Sequence, residues 1–348
     1  MYDDKRTKEK VLNQPLSNEF FDNYVAIDWS IDTIAIARMS SNGLHPKVDR
    51  DLPSSLRVIR KYLSNLRGSI ILTIEESTSA QWLYVELKDY VDKLLICDPC
   101  RNSLLKEGPK KDPIDAVKLC QLLRWGMLKE VFHTSNQSYY IRKLVSGYND
   151  LVKATVRAKN QLSAIMRAEC KNYKKNRDSK NSYAKLVIAE KERTIAHLES
   201  EKKSYYHEFN KLAKSNEVIR NLRKVPGLRE VIPVKIYSKV IDGRRFKNKY
   251  KFWGYCGLAK HDRESGGKLY GRKNTRYSRM MKDCYKIATQ GALHGKNDLR
   301  IYYDTMLKEG VSQKNARNEI TRYIAKVTLA MIKNGSKYEP FKWRKKEK

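Results

Sequence analysis

The first third of the chain alternates between strand-like and helix-like apolar patterns. Tyr24-Val25-Ala26-Ile27 is a short β-favouring run that ends on Asp28 and Trp29. Residues 33–39 alternate again, and Ser41-Asn42-Gly43 has the composition of a hairpin turn. Pro53 opens a segment with Leu56, Ile59, Leu63 and Leu66 at helical spacing. Ile70-Ile71-Leu72-Thr73-Ile74 is nearly continuous, as in a strand covered on both faces, and stops at Glu75 and Glu76. A helix over about 80–90 and a strand over 92–96 follow. After a basic loop from Lys106 to Lys111, residues 113–125 form an amphipathic helix through Ile114, Val117, Leu119, Leu122 and Leu123. This order predicts a mixed α/β sheet covered by helices.

The middle of the chain changes character. Residues 136–222 contain almost no Gly or Pro. Leu144, Tyr148, Val152 and Val156 recur at intervals of four, and Leu186, Ile188, Ile195, Leu198, Phe209 and Leu212 fit a second stripe. A polar break from Lys171 to Asn181 divides the two, which predicts an antiparallel helical hairpin or coiled coil. Such an arm has too little apolar surface to stand alone, so pairing with another subunit is expected, the alternative being a solvated basic helix pair that serves as a spacer. Val225-Pro226-Gly227-Leu228 precedes an apolar segment at 231–240, in the manner of a helix-hairpin-helix turn. There Gly lets backbone approach phosphate. Residues 315–333 are helical by pattern, and the Lys/Arg-rich end reads as a frayed tail.

Charge narrows the partner. The 348 residues carry 72 Lys+Arg against 39 Asp+Glu, a formal net charge of +33, which suits a polyanion. The cations are spread along the chain rather than gathered beside an apolar anchor, which favours nucleic acid over acidic lipid. No apolar run is long enough for a membrane span and no signal core opens the sequence, so a cytoplasmic location is expected. Cys97-Asp98-Pro99-Cys100 has the spacing of a zinc half-site without a second pair, and reads as thiols at a strand end.

Two constellations can carry chemistry. Asp28 and Glu76 stand at the ends of neighbouring predicted strands, and Asp112 and Asp115 are three apart at a helix start, sharing a face. Four converging carboxylates can hold two Mg²⁺ ions, a clamp suited to phosphodiester transfer. Asp112 before Pro113 equally suits a helix cap, and alternation leaves Glu75 as a rival for Glu76. Ser265, followed by Gly266 and Gly267, could attack phosphorus beside many cations, although Ser-Gly-Gly also suits an ordinary loop. The cations are Lys268, Arg272, Lys273, Arg276, Arg279, Lys282 and Lys286, interleaved with Tyr270, Tyr277 and Tyr285.

Six short motifs occur in order. Tyr24-Val-Ala-Ile-Asp28-Trp-Ser, Glu76-Ser-Thr-Ser-Ala-Gln-Trp82 and Lys110-Lys111-Asp112-Pro-Ile-Asp115-Ala resemble the three N-terminal blocks of the DEDD transposases of the IS110 family. Val225-Pro-Gly-Leu, Tyr255-Cys-Gly-Leu258 and Ser265-Gly-Gly-Lys268 resemble that family's C-terminal domain. Ser79 stands where the family usually has Gly, and Trp29 follows the first Asp.

The resemblance implies an RNase H-like (RuvC-like) domain, a long coiled-coil arm and a mainly α C-terminal domain with a helix-hairpin-helix-like element. The boundaries expected are a tail at 1–22, the catalytic domain at 23–134, the arm at 135–222, the transposase domain at 223–340 and a basic tail at 341–348. Matching the family's motifs makes Asp28, Glu76, Asp112 and Asp115 the metal-binding acids and Ser265 the nucleophile. Glu76 preserves the six-residue interval to Trp82. Nucleic acid would be held by Lys110, Lys111, Gly227, Lys268, Arg272, Lys273, Arg276, Arg279 and Lys282. The implied partners are target and donor double-stranded DNA, a structured guide RNA encoded by the element, and further copies of the chain as a dimer or tetramer. The competing readings are a site-specific invertase without guide RNA, and a RuvC-like nuclease or a nucleic-acid-binding scaffold in which Ser265 is structural.

Overall fold

A computed structural model describes residues 20–99, 112–134, 136–168, 181–273 and 275–344. The chain divides into two compact units, Met1–Asn136 and Gln137–Lys348.

The first unit is built on a five-stranded sheet of β1 (Asn23–Trp29), β2 (Thr33–Ser40), β3 (Lys47–Pro53), β4 (Ile70–Glu75) and β5 (Lys93–Cys97). Its order is β3-β2-β1-β4-β5. β1 runs antiparallel to β2 and β2 to β3, whereas β1–β4 and β4–β5 are parallel. The parallel pairs need crossovers, supplied by α1 (Leu56–Ser64) and α2 (Ala80–Leu87). These helices bury Ile59, Leu63, Leu83 and Leu87 against Val25, Ile27, Leu72 and Ile74. The other face takes α3 (Asp112–Arg124), whose Ala116, Leu119, Cys120 and Leu123 pack on Tyr24, Ala26, Ala35, Ala37 and Ile71. Helices on both faces explain the unbroken apolar runs of β1 and β4.

β3 departs from the sequence reading, in which Pro53 opens a helix. Pro53 instead closes an edge strand, and α1 starts after Ser55. Only Val48 and Leu52 of β3 reach the cores, one on each face, so its apolar signal is faint. A charged, largely exposed edge strand also resists unwanted pairing.

In the second unit, α4 (Asn136–Ala168) and α5 (Ser182–Ser215) pack antiparallel. Tyr148 meets Tyr205, Tyr206 and Phe209, Lys159 pairs with Glu199 at 2.6 Å, and Met166 lies with Ile188. The expected polar break lies outside the described residues up to Asn181, which caps α5 by accepting from the backbone N–H groups of Tyr183 and Ala184.

The rest of this unit consists of α6 (Glu217–Leu222), α7 (Val231–Val240), α8 (Lys249–Tyr255), the hairpin β6 (His261–Ser265) and β7 (Lys268–Lys273), α9 (Arg279–His294), α10 (Asp298–Lys308) and α11 (Gln313–Asn334). Its core gathers Phe252, Met281, Tyr285, Leu299, Ile320 and Ile324. Within residues 341–344, which the pattern assigns to a basic tail, Phe341, Lys342 and Arg344 are exposed and Trp343 is half-buried. Trp343 stacks on Tyr302 at 4.6 Å, and the Phe341 N–H and the Tyr338 hydroxyl both donate to the buried Asp298 carboxylate. Among the described residues no helix is long and apolar enough to cross a membrane.

Candidate active site

β1 and β4 are parallel neighbours in the register Ile27 to Ile74, so the next pair along is Asp28 and Glu75. Residues paired across strands point to one face. Asp28 pairs with Ala35 and Glu75 with Cys97, and both of these lie in the core beneath α3. Asp28 and Glu75 therefore share the α3 face at the carboxyl ends of the two strands.

The direction of α3 is fixed from its other end. Arg124 donates to the carbonyls of Ser40 at 2.7 Å and Gly43 at 2.8 Å, and the Cys120 thiol lies 3.3 Å from the Tyr24 carbonyl. Ser40 is the partner of Asn23, the first residue of β1. The helix thus runs antiparallel to β1, and its first turn, with Asp112 and Asp115, starts at the end of the sheet where Asp28 and Glu75 lie. Asp115 falls one turn before Leu119 and so on the stripe that faces the sheet. The side chain of Asp112 lies outside the described residues.

Glu76 is placed differently. Its backbone N–H donates to the Cys97 carbonyl at 3.0 Å, and its carboxylate lies 3.1 Å from His133 Nε2. The ring of His133 is buried, with Nδ1 3.0 Å from the Val131 carbonyl and Tyr84 5.5 Å away. Nothing in the sequence pattern marks His133. Its pairing with Glu76 joins β4 to the stretch after α3 through tertiary contact alone.

Hard carboxylate oxygens at one edge suit a divalent ion such as Mg²⁺. Among the described residues, however, no group of three or more His, Cys, Asp or Glu side chains is gathered closely enough to hold one. The nearby Cys97 is buried beneath α3, and burial pushes its thiol up to about 12. Cys100, Lys110 and Lys111 lie outside the described residues.

Ser265 and Lys268 close the β6–β7 turn as a cross-strand pair. Gly266 and Gly267 fill its centre with φ of 56° and 74°, the backbone that two-residue hairpins demand and side chains resist. Lys268, Arg272 and Lys273 are exposed on β7, as are Arg276 and Arg279 around the start of α9. Arg272 pairs with Asp262 at 2.8 Å, and the Lys282 amine sits 4.6 Å over the Tyr277 ring. Of the interleaved tyrosines, Tyr270 is exposed, whereas Tyr285 is fully buried with its hydroxyl 2.8 Å from that of Thr328. The segment is therefore half basic surface and half core.

Gly227 has φ of 84°, and a Cβ there would lie 1.9 Å from the Ala288 carbonyl oxygen. Its missing side chain lets the turn between α6 and α7 sit directly on α9, beside Gly291. The close approach that Gly227 makes here is to a helix.

Comparison with protein families places both units. Residues 25–170 match the family described as "Transposase" under the name DEDD_Tnp_IS110, and residues 219–304 match "Transposase IS116/IS110/IS902 family". The chain belongs to the IS110 family of transposases. It is thus a DNA transposase or recombinase, and DNA is its substrate. A search of curated proteins returned no relative. In this transposase the first match contains Asp28, Glu75, Glu76, Asp112 and Asp115, and the second contains Gly227 and Ser265.

Proposed function

We propose that this transposase cleaves and rejoins DNA strands with the carboxylate edge of its first unit and Ser265 of its second. The observation that carries the reading is the in-register placement of Asp28 and Glu75 on the face where α3 begins. The sheet order, with an antiparallel β1–β2 pair, parallel β1–β4 and a helix laid over β1, supports an RNase H-like, RuvC-like domain. On this reading Asp28, Glu75, Asp112 and Asp115 hold the metal, and Glu75 replaces the Glu76 of the motif match. Two Mg²⁺ ions, when bound, would stabilise the attacking and leaving oxygens of the phosphodiester.

Ser265 Oγ attacks phosphorus, and the new O–P bond forms as the bond to the leaving strand's oxygen breaks. The serine proton departs to solvent, and the leaving oxygen takes one up. Attack by a second strand's hydroxyl then reverses the linkage and joins the strands. Lys268, paired across the turn, and the exposed cations beside it offset the developing negative charge.

The α4–α5 hairpin serves as the coiled-coil arm of a dimer or tetramer in which one copy's carboxylates face another's serine. Exposed Val156, Leu186 and Val187 on that hairpin support pairing between copies. The +33 charge and the family membership support a guide RNA as a second nucleic acid, held through phosphates and 2′-hydroxyls.

The test is metal-titrated cleavage of DNA bearing the junctions that flank the gene. Asp28→Asn and Asp115→Asn abolish cleavage yet keep salt-sensitive DNA binding, because each removes a charge that repels phosphate. Full cleavage by both variants would end the reading. RNA that co-purifies under gentle isolation supports the guide, and its absence argues for an invertase-like protein without one.

A further inference from the structure

The carboxylate edge has a second feature, on the other side of the sheet. Strand alternation sends Trp29, next to Asp28, toward the α1–α2 face, where it lies half-buried beside the Ile27 and Ile74 core. Trp82, in the first turn of α2, packs against it edge to face, with ring centroids 5.7 Å apart and planes at 74°. Trp82 remains 44% exposed. β1 and β4 both end here, and α2 begins just after β4, so the two indoles and the carboxylates flank one rim.

An edge-to-face contact covers at most one face of each ring, so Trp82 keeps π surface for another partner. Trp29 meanwhile holds the ring in place, which lowers the entropic cost of binding. The chain carries +33 charge and acts on DNA, so the flat apolar group most often brought to this rim is a nucleobase. Base–indole stacking tolerates any base, because every base has a π face.

We propose that Trp82, braced by Trp29, is a stacking platform for one unpaired base of the DNA strand next to the phosphate at the Asp28–Glu75 edge. The proposal rests on that edge being the site of strand cleavage. A base lodged on the indole would hold the strand across the rim and keep the neighbouring phosphate on the α3 face. It would also favour DNA whose helix has opened at the junction, since a paired base has no free face to offer.

The test is binding of the full chain, with divalent ions chelated, to a single-stranded thymidine homopolymer and to an abasic oligonucleotide of equal length, which keeps the phosphates but lacks bases. Trp82→Leu should weaken thymidine binding about tenfold, the equivalent of one stacked base, and leave abasic binding unchanged. Trp82→Phe should retain most of the affinity. In the unsubstituted protein, light-driven crosslinking of 5-iododeoxyuridine should map to the Trp82 peptide, a result that does not depend on how a variant folds. Equal losses on both ligands, or no loss on either, would each overturn the proposal. Cleavage is not read in this assay, so failure of the platform is distinct from failure of the carboxylate site.

Discussion

His133 Nε2 lies 3.1 Å from the Glu76 carboxylate, while Glu75, one residue earlier, pairs with Cys97 on the α3 face of the sheet. β4 ends at Glu75, and the two glutamates make different contacts, Glu75 in register with Cys97 and Glu76 with His133. Glu75→Gln is expected to lower metal-dependent cleavage by about 10²-fold or more. Glu76→Gln, which disturbs a positioning contact, is expected to lower it by about tenfold or less. Single-turnover cleavage rates of the two variants decide the matter, and the reverse ranking would restore Glu76 as the ligand.

Gly227→Ala adds a methyl group where the Ala288 carbonyl already lies, in a backbone region that disfavours side chains. The expected cost is about 2–4 kcal/mol, from overpacking and positive φ together. Chemical denaturation measures it. If Gly227 serves phosphate instead, DNA affinity falls while stability holds.

The buried thiols set an alkaline limit. Burial pushes Cys97 and Cys120 up to about 12 from an ordinary value near 9, and Cys256 and Cys284 move the same way. A raised folded pKa means that the unfolded chain releases these protons first. Their contribution is therefore complete below about pH 9 and is lost as pH rises toward 12, by up to about 1.4 kcal/mol per pH unit per thiol. Stability should fall over that window, and alkylation of the native protein at pH 8 should spare all four, as read by peptide mass mapping.

The exposed cations of β7 and α9 should act through phosphates. DNA affinity is expected to fall with salt at a logarithmic slope of about −0.9 per phosphate neutralised. Lys273→Ala or Arg279→Ala should each make that slope shallower by about 1, with similar effect on any DNA sequence. Titrations across salt concentrations check this.

Much of this architecture is legible in the sequence because β1 and β4 are covered on both faces and so carry unbroken apolar runs. The helices announce themselves by spacing, as α3 does through Leu119 and Leu123. β3 is hidden because an exposed edge strand needs few apolar residues. The face on which Glu75 lies depends on the phase of a strand end, which its register with Cys97 shows and composition does not. His133 and the Trp29–Trp82 pair come together only through the tertiary fold. That Gly227 packs against α9 is likewise a tertiary contact that residue type alone does not reveal.

The most direct measurement concerns Ser265. Incubation with DNA bearing the element's junctions, followed by denaturation and proteolysis, should yield a peptide carrying a nucleotide on the Ser265 hydroxyl. The linkage should vanish in Ser265→Ala while that variant stays folded and still binds DNA. A covalent product that persists in Ser265→Ala, or that maps to another side chain, would contradict the account.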